Sequence, residues 1–233
     1  MRSRHPKPSE DESLDMASID PGKLRKRFFT ALVVAPPALF ICYYGSWPFM
    51  LWMLVCFILA QIEWIALSKK LGFSRYYLPG TAYLAFCFLA FLMIGLGKNM
   101  DAILLIILIA ASDIGAYFSG KIIGGPKMAA KISPNKTMAG LAGAVLMPAL
   151  VWMGYEFFNG IAVQNLPLYF LFGALIGLSG QVGDVLVSLM KRKANVKDTG
   201  NILPGHGGLL DRIDSLMLAA PVFIALEYLI GNI

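Results

Sequence analysis

Apolar residues in this chain fall into long runs separated by short polar stretches. Each run is close to the roughly 20 residues that carry a helix across about 30 Å of hydrocarbon. The runs predict spans near residues 28–44, 48–67, 76–95, 101–119, 138–158, 166–190 and 209–231. Pro36 and Pro37 fall inside the first and predict a kink there. Residues 1–22 are polar, of mixed charge, and contain Pro6, Pro8 and Pro21. They read as a disordered cytoplasmic tail and not as a signal peptide, because no short apolar region with a small-residue cleavage site follows. Residues 23–233 then form one transmembrane domain. The expected fold class is an all-α integral membrane protein, a polytopic bundle of about seven transmembrane helices.

Composition agrees with that pattern. Of the 233 residues, 58% are hydrophobic and 15% charged, whereas a soluble domain has about a quarter of its residues charged. The chain has too little polar side chain to cover a water-facing surface. The formal net charge of +6 does not point to nucleic acid, because the basic residues sit in the short loops. Seven precede the first span. Lys69, Lys70 and Arg75 follow the second; Lys121, Lys127, Lys131 and Lys136 follow the fourth. Lys191, Arg192, Lys193, Lys197 and Arg212 lie between the sixth and the start of the seventh, and Lys98 alone belongs to the other set of loops. With seven spans, this asymmetry puts the N-terminus in the cytoplasm. Cys42, Cys56 and Cys87 lie inside apolar runs without a CxxC pair, which makes them small packing residues. Gly173 and Gly177 make a GxxxG spacing, expected to bring two helices close together.

Ionisable groups are costly within a span unless paired, hydrated or bound to a cation. Glu63, Asp113 and Asp184 are of this kind. Glu63 allows either a bond to a neighbouring helix or a functional role, while Asp113, in line with Tyr117, reads as functional. In the sixth run, Gln181, Asp184, Ser188 and Lys191 recur at steps of three, four and three, making one polar stripe. In the seventh, Asp211, Asp214 and Ser215 share a face. Carboxylates from two helices, close to several basic residues, suit a hard cation bridging to phosphate oxygens.

Residues 188–214 read SLMKRKANVKDTGNILPGHGGLLDRID. With Gly180–Asp184, the Ile132–Thr137 stretch and the Asp113–Gly120 run, they resemble phosphatidate cytidylyltransferases (CDP-diacylglycerol synthases). The resemblance covers the C-terminal half with specificity; the first hundred residues agree in hydropathy alone. Ala139 stands where members often have Glu, two residues after Thr137. The resemblance implies a homodimeric helical bundle that joins CTP to phosphatidic acid and releases pyrophosphate. It implies a multi-pass protein of the cell inner membrane, with its active site facing the cytoplasm. It also implies a two-cation site, Mg²⁺ with K⁺ as the second, whose carboxylates map onto Asp184 and Asp211.

The chemistry of the residues agrees with that reaction. A phosphate monoester has a second pKa near 6 and is largely ionised at neutral pH, so the demand on the site is positioning and charge neutralisation. Asp184 and Asp211 are expected to hold the cations, with Asp214 or Asp198 as outer members. Lys191, Arg192, Lys197 and Arg212 would neutralise triphosphate and headgroup, Arg by bidentate contact. Gly205, Gly207 and Gly208 would admit backbone N–H groups to phosphate, with Ser188, Asp113, Ser133 and Lys136 as further substrate contacts. His206 either donates to phosphate or fixes the loop. Residues 120–137 are a candidate cover over nucleotide or lipid. The rival readings are a CTP-dependent lipid kinase, a cytidylyltransferase for another lipid phosphate, a non-catalytic relative, and an ion-coupled transporter. A transporter places its charges near the midplane on broken helices, whereas here they crowd one end.

Overall fold

The computed structural model describes residues 32–33, 36–97, 99–129, 132–203 and 207–231. The expected tail, 1–22, lies outside the described residues, as do residues 28–31 and 34–35 of the first expected span, of which residues 36–44 are helical. The later apolar runs each become one helix: α1 Ser46–Leu71, α2 Phe73–Leu96, α3 Asn99–Ile122, α4 Met138–Phe158, α5 Leu166–Lys193 and α6 Leu210–Gly231. Among the described residues, α1 to α5 are long and apolar enough to cross a membrane. The chain is therefore a multi-pass helical membrane protein. α6 stands where the last run was expected.

The segment after α3 departs from an all-helical chain. Gly124 and Gly125 both take positive φ, 67° and 97°, which ends α3 before Pro126. An antiparallel hairpin follows, β1 Lys127–Ala129 and β2 Ser133–Thr137, with Lys127 opposite Thr137 and Ala129 opposite Ser133. Pro134 is tolerated because a two-stranded ribbon has free edges. Thr137 then caps α4, its Oγ1 accepting the Gly140 N–H at 3.0 Å.

Consecutive helices pack on one another from α3 through α6, α1 packs on α2, and α2 returns to α6. One apolar core joins them, with Trp152 stacked on Phe223 at 5.1 Å between ring centres. α5 is the central element. Its 28 residues span about 42 Å at 1.5 Å per residue, longer than the hydrocarbon, so the Lys191–Arg192–Lys193 end extends beyond the apolar layer. Asp184, nine residues earlier, sits about 13 Å inside that end.

The α4–α5 contact depends on the expected small-residue stripe. A Cβ on Gly177 would fall 2.3 Å from the Ala144 carbonyl oxygen, and one on Gly173 2.4 Å from that of Pro148. Pro148 has no N–H to bond the Ala144 carbonyl four residues back, so that carbonyl is left for the Gly177 α-hydrogen that stands in place of a side chain. Gly177→Ala should cost about 1–3 kcal/mol, seen as a lower thermal midpoint in detergent. Gly154→Ala, where a Cβ would meet nothing within 4 Å, should not lower it.

Candidate functional site

Three carboxylates anchor the polar end of the bundle, and each finds its partner on a different element. Asp184 of α5 accepts from Lys136 Nζ of β2 at 2.5 Å and from Ser188 Oγ, one turn on, at 3.1 Å. Lys136 also donates to Gln181 Oε1 at 2.9 Å, and Gln181 Nε2 reaches Ser112 Oγ at 3.5 Å. The hairpin is thereby tied to the polar stripe of α5, and through it to α3.

Asp211, in the first turn of α6, is held more tightly. Its Oδ1 accepts from Lys191 Nζ at 2.6 Å, while its Oδ2 accepts from the Thr199 N–H, the Thr199 hydroxyl and the Gly208 N–H at 2.8, 3.0 and 3.0 Å. The side chain of Asp211 is 5% exposed and that of Asp184 27%. Asp184 is accordingly the open carboxylate and Asp211 the enclosed one. Asp214, one turn further along α6, is buried and within electrostatic reach of Asp184, Asp211 and Lys191. Asp113 of α3 is within reach of Asp184, Lys136 and Arg212. Four of the expected acids thus gather from α3, α5 and α6.

Glu63 of α1 takes the structural alternative left open by its sequence context. It is buried, and its two oxygens accept the Leu209 N–H, the Leu210 N–H and the Thr199 hydroxyl, each at 2.9 Å. It therefore caps the N-terminus of α6, where free N–H groups and the helix dipole favour an anion. The single hydrogen of the Thr199 hydroxyl lies between Glu63 and Asp211. Space is the reason for glycine nearby: a Cβ on Gly208 would lie 2.1 Å from Thr199 Oγ1 and 2.6 Å from Glu63 Oε2. Gly207, at φ 86°, turns the chain between Asp198 and Asp211.

Other expected residues are placed differently. Arg192 donates to the carbonyls of Ile132 and Val196 at 3.2 and 3.5 Å, so it links α5 to the hairpin segment. Lys197, Asp198 and Arg212 are exposed at the same end. Ser133 lies in β2 opposite Ala129. Gly205 and His206 lie outside the described residues. A cavity of about 470 Å³ opens between α3, the hairpin, α4 and α5, with Lys121, Asn135, Lys136 and Gln181 among its walls. That volume is within the roughly 300–1,000 Å³ of small-molecule sites. Thr199 was not singled out from sequence, because its importance comes from contacts with residues 12 and 136 positions away.

Among the described residues, no three His, Cys, Asp or Glu side chains converge closely enough to enclose a metal by themselves. The donor set still suits Mg²⁺, which prefers hard oxygen and completes its shell with substrate phosphates and water. Glu63→Gln puts an amide NH₂ against groups that themselves donate. It should cost about 1–3 kcal/mol for the buried donor left unmatched and speed amide exchange at Leu209 and Leu210, the two amides that Glu63 accepts. Unchanged protection at these amides would contradict the capping role.

The sequence model of the cytidylyltransferase family matches residues 76–230. A phosphatidate cytidylyltransferase of Rickettsia bellii is 44% identical over 115 residues, covering 47% of this chain and 50% of its own. One from Pseudomonas aeruginosa is 42% identical over 129 residues, covering 55% and 48%. The uncharacterized protein YnbB of Escherichia coli is 46% identical over 129 residues, covering 54% and 42%. The chain spans about half the length of these curated relatives. The matched stretch contains the hairpin, the polar stripe of α5, the 194–209 loop and both α6 acids, and leaves Glu63 outside it. The chain belongs to the cytidylyltransferase family.

Proposed function

We propose that this protein transfers the cytidylyl group of CTP to phosphatidic acid, giving CDP-diacylglycerol and pyrophosphate. The observation that carries the reading is the placing of two Asp–Lys pairs, Asp184 with Lys136 and Asp211 with Lys191, at the basic end of a membrane bundle, both aspartates within electrostatic reach of Asp214. Two relatives named phosphatidate cytidylyltransferase match about half of this chain at 44% and 42% identity. A phosphatidate oxygen attacks the α-phosphorus of CTP, and the bond from that phosphorus to the bridging oxygen breaks, with pyrophosphate leaving. The nucleophile is already ionised, so no strong base is required.

The residues have distinct tasks. Asp184 and Asp211 would hold Mg²⁺, with Asp214 as an outer member; K⁺ as a second cation belongs to the same proposal. When bound, Mg²⁺ supplies positive charge to the triphosphate and its leaving group. Lys136 and Lys191, held ready by their aspartates, turn their ammonium groups toward phosphate oxygens as substrate charge enters. Lys121, Lys197 and Arg212 add positive charge around the entrance. Gly207 and Gly208 leave backbone room for a phosphate, and the hairpin covers the 470 Å³ cavity.

The distribution of basic residues supports an orientation. Lys69, Lys70, Arg75, Lys121, Lys136 and Lys191 all lie at helix ends or loops that one topology puts in the cytoplasm. With α1 to α6 and the apolar run at 28–44 as seven spans, the N-terminus and the active site face the cytoplasm of an inner membrane. Homodimeric assembly remains part of this proposal.

Detergent-purified protein given CTP, phosphatidate and Mg²⁺ should form CDP-diacylglycerol and pyrophosphate in equal amounts. Release of CDP would identify a kinase, and ion flux in liposomes without CTP a transporter. Asp184→Asn and Asp211→Asn should each lower turnover by roughly a hundredfold or more, on the scale of lost electrostatic stabilisation. Near-normal turnover in either variant would remove the assigned role.

A further inference from the structure

A second cavity, of about 240 Å³, adjoins the carboxylate site and takes no part in the chemistry above. Trp64 of α1, Tyr83 and Leu84 of α2, Leu186 and Met190 of α5, and Leu210 of α6 line it. Resting on the cytidylyl-transfer reading, we propose that this cavity seats one acyl chain of the lipid substrate and so selects among phosphatidates by chain length.

Its chemistry excludes the other substrate groups. The lining is almost wholly apolar, and a phosphate or a cytosine would lose water there without gaining partners. Its volume is below the roughly 300–1,000 Å³ of a whole small-molecule site, which suits one hydrocarbon chain better than a headgroup. Its position joins it to the reaction. Met190 precedes Lys191 and Leu210 precedes Asp211, so the wall of the cavity is the backbone that presents the Lys191–Asp211 pair.

Depth is consistent as well. On α2 the wall runs from Tyr76 to Leu84, about 12 Å along the helix axis, starting beside Arg75 at the basic end. That is within one leaflet of a hydrocarbon layer about 30 Å thick. Tyr83 Oη is buried on this wall with no hydrogen-bond partner among the described residues. The weakly accepting Cys87 thiol lies beside it, and Asp214 is within electrostatic reach. Since lipid tails are as apolar as leucine, a chain gains little by moving from the bilayer to these walls. Shape decides which chain fits, and the effect belongs in the lipid KM.

Leu186, half-exposed at the rim, allows a test in both directions. Leu186→Trp should raise the KM for dioleoyl phosphatidate at least fivefold, leaving the KM for CTP and turnover of dihexanoyl phosphatidate unchanged. Leu186→Ala should shift the long-to-short preference the opposite way. Equal effects on both lipids, or none, would overturn the proposal. An activity-independent measurement uses phosphatidate with a diazirine at mid-chain, crosslinked to the full protein in detergent. Adducts are expected on α2 and α5, competed by dioleoyl phosphatidate and not by phosphatidylcholine. Equal competition would make the cavity a place for bulk lipid, and adducts elsewhere would empty it of this role. Crosslinking as expected from a parent protein that forms no CDP-diacylglycerol would count against the transfer reaction and not against the cavity.

Discussion

Hydrocarbon offers a carboxylate no donor, so every acid in a membrane bundle must bring its partner with it or draw one from another part of the chain. Here the partners come from other parts of the chain. Asp184 depends on a lysine of the hairpin, Asp211 on a lysine of α5 and two amides of the 194–209 loop, and Glu63 on the first amides of α6. Each pairing joins segments distant in sequence. The requirement that prevents bare charge in the bilayer is therefore also what assembles the site. Removing one partner leaves a buried charge unmatched, a larger penalty than the net worth of the pair.

Glu63 illustrates how support and chemistry are joined. It touches neither Lys191 nor Lys136, yet it fixes the end of α6 from which Asp211 projects, and it shares the Thr199 hydroxyl with that aspartate. Gly208 has no room for a side chain because this contact passes beside it. The loop between α5 and α6 is rich in glycine and lysine, a composition that otherwise suggests mobility. At its two ends it is instead pinned by carboxylates, which keeps Asp211 and Lys191 in register with Asp184.

Much of this was legible in the order of residues. Helix positions follow hydropathy because each apolar run must satisfy its own backbone in hydrocarbon, and α4 begins and ends at the residues expected, 138 and 158. The stripe Gln181–Asp184–Ser188–Lys191 needed only the helical period, and all four of its members enter the polar network. The hairpin was not foreseen, since a charged segment of 120–137 reads as loop and its pairing is set by two adjacent positive-φ glycines and a proline. Glu63 stayed ambiguous for a different reason: its partners lie 136 to 147 positions away, and no local period reports a contact of that kind. Arg192, expected on phosphate, also bonds two carbonyls, contacts set by where the helix end meets the hairpin.

The account depends on α5 and α6 contributing to one cation–phosphate site. Mn²⁺ affinity in the presence of CTP, measured by electron paramagnetic resonance across a double-mutant cycle of Asp184→Asn and Asp211→Asn, tests this directly. The account predicts that each single change weakens Mn²⁺ binding and that the double variant loses much less than the sum, as neighbours sharing an ion do. Additive losses, or parental affinity in either single variant, would contradict it.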